Sequence, residues 1–175
     1  VDGDGDLDLF VGGRTIPGRY PAAATSRLLK NEGGTFGAGQ KFDKVGLVNG
    51  AVFSDLDGDG KSELILACEW GPIRIYRNEA GNLKPWDWPV TFVDREPTPI
   101  PSQGGEIRQE RASTVNQLTG WWNGVSTGDL DGDGRLDIVA SNWGLNSRYR
   151  SSREHPRRIF SGDIDGNGTV EVIEV

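Results

Sequence analysis

The sequence predicts an all-β fold made of repeated antiparallel units, and two observations lead to that prediction. An acidic phrase of nearly constant wording occurs four times, and each copy runs into a short apolar stretch. A second phrase, typical of a β-hairpin, occurs twice between the acidic copies. Repeated loops joined to repeated strands indicate a partial β-propeller built of four-stranded antiparallel blades, with a loop between the strands of each blade.

The acidic phrase has the chemistry of a cation-binding loop. Loops one to four are VDGDGDLD (1–8), DLDGDGKSE (55–63), DLDGDGRLD (129–137) and DIDGNGTVE (163–171). Because alternate residues of a tight loop point to the same side, the side chains at loop positions 1, 3 and 5 converge. Gly at position 6 permits the turn, the carbonyl of position 7 faces the same centre, and an acid closes the loop at position 9. Calcium takes about six to eight oxygen ligands in irregular geometry, which suits this set.

We expect three to four calcium sites from these loops. The predicted ligands are Asp2, Asp4, the Asp6 carbonyl and Asp8; Asp55, Asp57, Asp59, the Lys61 carbonyl and Glu63; Asp129, Asp131, Asp133, the Arg135 carbonyl and Asp137; and Asp163, Asp165, Asn167, the Thr169 carbonyl and Glu171. The first set is incomplete because its position 1 is expected upstream of Val1, and the fourth is the weakest because Asn167 replaces an acid.

Other cations and a metal-free interpretation fit these loops less well. Magnesium demands a stricter octahedron, and zinc is set aside because no loop contains His or Cys. If the loops were only solvated turns, their closely packed carboxylates would repel one another without compensation.

The charge balance agrees with metal binding. Asp and Glu number 26 against 19 Lys and Arg, for a net charge of −7. More than half of these acids are predicted ligands, so the rest of the chain is net basic. The acidic balance therefore reflects the loops, and it indicates neither a basic partner nor an acidic tail; no nucleic-acid partner is predicted.

An EF-hand begins with the same D-x-D-x-D-G pattern, so EF-hand and dockerin-like modules are the competing interpretation. An EF-hand needs Glu at position 12 and a helix on either side of the loop. Position 12 is Val11, Leu66 and Ala140 in the first three loops, and only the fourth has Glu174. The flanking runs are short and rich in β-branched and aromatic residues, which favours strands on both sides.

The repeat extends beyond the loops. Asn49-Gly50 and Asn123-Gly124 each begin six residues before the first ligand of the next loop. LLKNEGGTF (28–36) parallels IYRNEAGNL (75–83), and both are typical of a strand, a turn and a return strand. The predicted units cover residues 1–45, 46–119, 120–156 and 157–175. We expect the first and last to be incomplete parts of a longer propeller, since rings usually have about four to eight blades.

The second unit carries a Pro-rich insertion at residues 84–119, predicted to lie on the rim or the top face. Trp86 and Trp88 within it are the candidates for contacting a protein or carbohydrate ligand. Trp70 and Trp143 follow the post-loop strands at equivalent points, which favours a structural role between units. No membrane span is predicted in these residues.

These phrases resemble the VCBS/FG-GAP-like repeat family. The resemblance rests on D-x-D-G-D-G-x-x-D followed by an apolar strand, on the K/R-N-E-x-G hairpin, and on VGGRTIPGRYP and GWWNGVSTGDLDGDGRLDIVASNWGLNSRYR. Such phrases look like the blades of integrin α-subunits, and like bacterial FG-GAP and cartilage-acidic-protein-like proteins that often carry an ASPIC/UnbV domain. The resemblance implies a multi-bladed propeller with structural calcium, located outside the cell, on its surface or in the periplasm. No literal FG-GAP phrase occurs, and residues 36–39 are only a partial echo.

No catalytic residues are predicted. The one histidine, His155, lies in a polar stretch with no nucleophile or orienting group beside it. Glu69, Glu106 and Asp87 lie outside the loops but have no motif around them. The expected function is a non-enzymatic scaffold for recognition or adhesion. The alternative is a non-catalytic propeller part of a secreted enzyme of the polysaccharide lyase or phospholipase type.

Overall fold

The computed structural model describes residues 1–93, 110–144, 146–149, 151–152 and 155–175. Within them the regular structure is β-strand apart from one 3₁₀ turn at Val115–Gln117. The strands are β1 (Leu9–Val11), β2 (Ser26–Glu32), β3 (Thr35–Phe42), β4 (Leu47–Ser54), β5 (Glu63–Glu69), β6 (Arg74–Glu79), β7 (Asn82–Trp86), β8 (Pro89–Val93), β9 (Glu110–Thr114), β10 (Trp122–Gly128), β11 (Asp137–Asn142), β12 (Ile159–Gly162) and β13 (Glu171–Glu174). None of the described segments is a helix long and apolar enough to cross a membrane.

The described strands form antiparallel sheets of two to four strands. The second unit holds a full four-stranded sheet in the order β4-β5-β6-β7, and the first holds the three-stranded sheet β1-β2-β3. The pairs β8-β9, β10-β11 and β12-β13 complete the described set. The all-β fold class is thus confirmed. A closed ring of blades is not observed among the described residues, so the propeller itself stays a prediction.

Loops two, three and four each join two paired antiparallel strands: β4 to β5, β10 to β11 and β12 to β13. The pairs that close them are Ser54 with Glu63, Gly128 with Asp137, and Gly162 with Glu171. Strands therefore flank these loops where an EF-hand would have helices.

Both predicted hairpins form, as β2–β3 and β6–β7. Their two-residue turns need left-handed backbone at both positions, because that twist matches the flanking strands. Gly33 and Gly34 supply it in the first hairpin, with φ of 58° and 89°. In the second, Ala80 takes the place of Gly33 and adopts φ of 51°, followed by Gly81 at 85°. Ala80 thus holds a conformation that favours glycine.

Strand β5 lies at the centre of the core, and every one of its residues is buried. Its side chains alternate between two apolar clusters, as the two-residue period of a strand requires. Leu64 and Leu66 pack in one cluster with Leu28 of the first unit. Ile65 packs in the other, against which Ile138 of the third unit also lies. The first three units therefore pack face to face with β5 between them.

Gly50 and Gly124 meet where β4 lies against β10. A bulge interrupts the register at both places, between Val48 and Gly50 and between Trp122 and Gly124. A Cβ added to Gly50 would lie 3.0 Å from the Cα of Gly124. The Asn49 side-chain amide donates a 2.9 Å hydrogen bond to the Trp122 carbonyl. The repeated Asn-Gly pair thus marks the contact between the first strands of adjacent units.

The predicted insertion at residues 84–119 begins inside β7 and continues into the β8–β9 hairpin, whose connection at residues 94–109 lies outside the described residues. Trp86 and Trp88 pack edge to face, with ring centroids 4.5 Å apart, against the second apolar cluster. Their contact with an external ligand stays a prediction.

The other tryptophans join units to one another. The Trp121 ring lies 4.9 Å from that of Trp70 in the second unit and 4.5 Å from that of Trp143 in the third. The Arg157 guanidinium lies over the Trp70 ring at 5.1 Å. These contacts agree with the role between units predicted for Trp70, whereas the ring that Trp143 contacts belongs to its own unit.

Candidate metal centres

Loops two, three and four each bring three carboxylates to one point. The residues are those at positions 1, 3 and 9, and in each loop the three ligand atoms lie within 4.8 Å of one another. The triplets are Asp55, Asp57 and Glu63; Asp129, Asp131 and Asp137; and Asp163, Asp165 and Glu171. Three oxygen donors at this spacing fit a hard divalent cation.

The acid at position 1 organises the turn around itself. Asp55 accepts hydrogen bonds from the backbone N–H of Gly58 at 2.8 Å and of Gly60 at 2.9 Å. Asp129 repeats this with Gly132 and Gly134, at 2.7 and 3.0 Å. All four glycines have positive φ. The D-x-D-G-D-G spacing therefore wraps the backbone around the first carboxylate, because only glycine adopts that conformation without strain.

The acid at position 9 ties the end of the loop to its beginning. This acid accepts a hydrogen bond from the backbone N–H of position 2 in each loop. The donor and acceptor are Leu56 and Glu63 at 2.9 Å, Leu130 and Asp137 at 2.9 Å, and Ile164 and Glu171 at 2.7 Å. Glu63 is fully buried, and burial raises the pKa of its carboxyl. In loop four the hydrogen bond from the Ile164 N–H lowers the pKa of Glu171.

Position 5 behaves differently from the triplets. Asp59 and Asp133 each accept the backbone N–H of position 7, at 2.9 and 2.8 Å, and each pairs with the basic side chain of the same residue. The hydrogen bond from Lys61 lowers the pKa of Asp59, and that from Arg135 lowers the pKa of Asp133. Asn167 keeps the backbone bond, from the Thr169 N–H at 2.8 Å. Ligation by these side chains, and by the carbonyls of position 7, stays a prediction.

In loop one, the acids form hydrogen bonds and an ion pair with neighbouring residues. Asp8 accepts a hydrogen bond from the Val1 nitrogen at 2.7 Å, as the acid at position 9 does from position 2 in the other loops. Asp2 pairs with Lys30 at 2.9 Å, and this hydrogen bond lowers the pKa of Asp2. Asp4 accepts the N–H of Asp6 at 2.9 Å. Two hydrogen bonds of the other loops, from position 2 to position 9 and from position 7 to position 5, thus recur in this one.

The K/R-N-E-x-G hairpins reach back to the loops, a role that the sequence interpretation missed. Arg77 pairs with the position-3 acid of loop two, Asp57, at 2.5 Å. Asn31 donates its backbone N–H to Asp8 at 2.9 Å. Asn78 approaches Glu63 in the same way at 3.5 Å. The sequence signal was the recurrence of this phrase once after loop one and once after loop two, which the turn alone does not explain.

Of the residues considered for catalysis, the structure describes Glu69, Asp87 and His155. Glu69 is buried and accepts a 2.5 Å hydrogen bond from the Tyr20 hydroxyl. Asp87 accepts one from a side-chain amide of the 3₁₀ turn. His155 is exposed, and Glu106 lies outside the described residues.

A family model described as an FG-GAP-like repeat matches residues 1–66 and again residues 55–140. The two matches overlap in loop two and together span loops one to three. No curated protein and no solved structure matches the chain.

Proposed function

We propose, because this chain belongs to the FG-GAP-like repeat family, that it is a calcium-stabilised propeller segment serving as an extracellular scaffold for recognition or adhesion. Repeats of this family are typically non-catalytic adhesion or recognition modules. The chemistry of this chain's own loops supports the calcium part of the proposal, and the partial exposure of Trp86 and Trp88 supports the scaffold part.

The observation that carries the proposal is the recurrence of one carboxylate triplet. The same three loop positions lie within 4.8 Å of one another in three separate units. Acidic groups on a surface repel one another, so a cluster of this kind costs free energy unless a cation compensates it. Its recurrence in register favours a common ligand over incidental turns.

The residue types favour calcium over other cations. The triplets consist of carboxylates alone, and the loops add backbone carbonyls at position 7. Oxygen donors of this kind suit calcium, which tolerates irregular geometry. The side chains at positions 1, 3, 5 and 9 would hold the ion, and its charge would compensate theirs.

In this proposal the ion stabilises the fold. Position 1 follows one strand and position 9 begins the next, so a shared ion would fasten two strand ends. The ion should stabilise Glu63 more than the other ligands, because the Glu63 carboxylate is fully buried and a buried charge without compensation is costly. A calcium ion that binds only the folded chain adds about 2.7 kcal/mol per site when free calcium is about 100 times Kd.

The scaffold role assigns partner contact to the insertion. Trp86 and Trp88 are half-buried against the core, and the exposed parts of their rings would contact a protein or carbohydrate ligand. Calcium is millimolar outside cells, where even weak extracellular sites of about 10⁻⁴–10⁻³ M are filled. The compartment proposed is accordingly extracellular, cell-surface or periplasmic.

Thermal unfolding with and without calcium tests the proposal. We expect EDTA to lower Tm and excess calcium to restore it, with magnesium restoring much less. Asp131→Asn should lose part of the calcium-dependent rise, because it neutralises one acid of the loop-three triplet. Asp43→Asn is the matched control, since Asp43 is exposed and hydrogen-bonds Thr25 outside the loops. A Tm that is equal in EDTA and in calcium would contradict the proposal.

A further inference from the structure

We infer that Lys30 and Arg77 are built-in counter-cations of loops one and two, which stabilise the position-3 carboxylates and compete with calcium for them. The inference rests on the proposed calcium function and assigns a regulatory role to residues outside the loops. These two residues are called the hairpin cations below.

The hairpin cations occupy the same place in the repeat. Lys30 precedes Asn31 in LLKNEGG, and Arg77 precedes Asn78 in IYRNEAG. Lys30 Nζ lies 2.9 Å from Asp2 Oδ2. In the second unit, Arg77 Nη2 lies 2.5 Å from Oδ2 of Asp57, the residue equivalent to Asp2. A lysine and an arginine thus form the same ion pair in two different units.

The contacted carboxylate is engaged on both of its oxygens. Asp57 Oδ1 accepts the backbone N–H of Asp59 at 3.3 Å while Oδ2 pairs with Arg77. Asp2 Oδ1 accepts the N–H of Asp4 at 3.4 Å while Oδ2 pairs with Lys30. A calcium ion at position 3 must therefore share or displace an existing interaction, and a fixed positive charge beside it repels it.

Arg77 makes a second contact that holds its side chain in place. The Arg77 guanidinium lies over the Trp86 ring, 4.8 Å from its centroid. The next residue of each phrase binds the same loop, because the Asn31 N–H donates to Asp8 at 2.9 Å and the Asn78 N–H lies 3.5 Å from Glu63. The hairpin therefore contacts positions 3 and 9 together, which separates this arrangement from a mobile surface ion pair.

Thermodynamic linkage gives the direction of the effect. A group that stabilises the chelated protein more than the calcium-bound protein weakens calcium binding, and the loss of binding free energy equals the difference between the two stabilisations. Removing Arg77 should therefore destabilise the chelated protein and strengthen calcium binding. A purely structural ion pair would stabilise both forms equally. The third unit cannot be compared, because Arg150, which follows Tyr149 as Arg77 follows Tyr76, lies outside the described residues.

The test measures Tm in EDTA and in saturating calcium for the wild type, Arg77→Gln, Arg77→Lys and Lys84→Gln. Lys84 is the matched control, because it lies opposite Arg77 on the neighbouring strand but pairs with Glu79, which is not a predicted loop ligand. We expect Arg77→Gln to lower Tm in EDTA by about 2–4 °C, to change it little in calcium, and to tighten calcium binding by roughly two- to fivefold. Arg77→Lys should restore the wild-type difference, and Lys84→Gln should leave it unchanged. Lys30→Gln repeats the test for loop one if Arg77→Gln does not fold.

The outcomes separate this inference from the function on which it rests. If wild-type Tm does not respond to calcium, the proposed function fails and the inference fails with it. If wild type responds but Arg77→Gln loses equal Tm in both conditions, or more in calcium, the inference alone is overturned.

Discussion

The Leu56 backbone N–H donates to the buried Glu63 carboxylate across 2.9 Å, and so ties the second residue of loop two to its last. The same bond recurs from Leu130 to Asp137 in loop three. Closing the loop on itself brings the position-9 acid beside the acids of positions 1 and 3. This bond is the structural reason why the acid at position 9 belongs to the same cluster as the acids at positions 1 and 3.

Replacing Glu63 by Gln should therefore be costly with calcium and less costly without it. The amide keeps an acceptor for the Leu56 N–H but removes one charge from the triplet. We expect a loss of about 1–3 kcal/mol in calcium, measured by urea unfolding, and a smaller loss in EDTA because a buried charge has also been removed. Glu171→Gln in partly exposed loop four is the comparison and should show the smaller difference. Equal losses in calcium and EDTA would argue against a shared ion at Glu63.

Replacing Gly50 by Ala should destabilise the contact between the second and third units. The new Cβ would lie 3.0 Å from the Gly124 Cα, and backbone atoms cannot rotate away. We expect a loss of about 1–3 kcal/mol in the free energy of unfolding. Gly162→Ala is the control, since its Cβ would meet nothing within 4 Å and its φ is not positive. If the two variants unfold alike, β4 and β10 do not pack as described.

Replacing Ala80 by Gly should stabilise the second hairpin. Ala80 has φ of 51°, which is strained for an L-residue and unstrained for glycine. The expected gain is about 1 kcal/mol, reduced by the greater freedom that glycine has in the unfolded chain. Gly33→Ala tests the same point in reverse, because Gly33 occupies the equivalent position with φ of 58°. Stabilisation by Gly33→Ala would contradict the turn assignment.

Tyr20 should make stability fall at high pH. Its hydroxyl donates to Glu69 and accepts from Trp70 Nε1, and burial is the main reason why its pKa rises from 10.0 to about 12. The fold therefore favours the un-ionised phenol. Its stabilisation is complete below pH 10.0 and is lost as pH rises towards about 12.

Urea unfolding of wild type and Tyr20→Phe, followed from near neutral pH up to about pH 12, measures the effect. Tyr20→Phe should be less stable near neutral pH by about 1–3 kcal/mol, because Glu69 and Trp70 lose a partner. Its stability should also fall less steeply with pH. Tyr149→Phe is the control, since its hydroxyl accepts only from exposed Arg148 among the hydrogen bonds described. An equal pH slope in wild type and Tyr20→Phe would contradict the assigned hydrogen bonds.

The features that sequence predicts here are those encoded by short-range pattern. Strands on both sides of each loop follow from apolar runs too short for helices, and the hairpins follow from Asn-Glu-Gly-Gly and its variant. The convergence of the acids at positions 1 and 3 follows from alternation within a tight turn, and the acid at position 9 follows from the position at which the loop closes. In all of these the interacting residues are close along the chain.

The features that sequence does not predict depend on contacts between distant residues. Arg77 and Asp57 are separated by 20 positions, and nothing local reveals that the hairpin folds back on the loop. Asn49-Gly50 was visible as a repeat, but its reason lies in Gly124, which only the packing of β4 on β10 brings near. Pairing of Asp59 with Lys61 was missed because loop position alone cannot say which acids turn to a neighbouring cation.

Counting bound calcium tests the central claim most directly. Native mass spectrometry and isothermal titration calorimetry in millimolar calcium should give three to four ions per chain, as the loops predict. Asp131→Asn should lose one of them and Asp43→Asn none. A wild-type protein that stays folded and binds no calcium under these conditions would contradict the account.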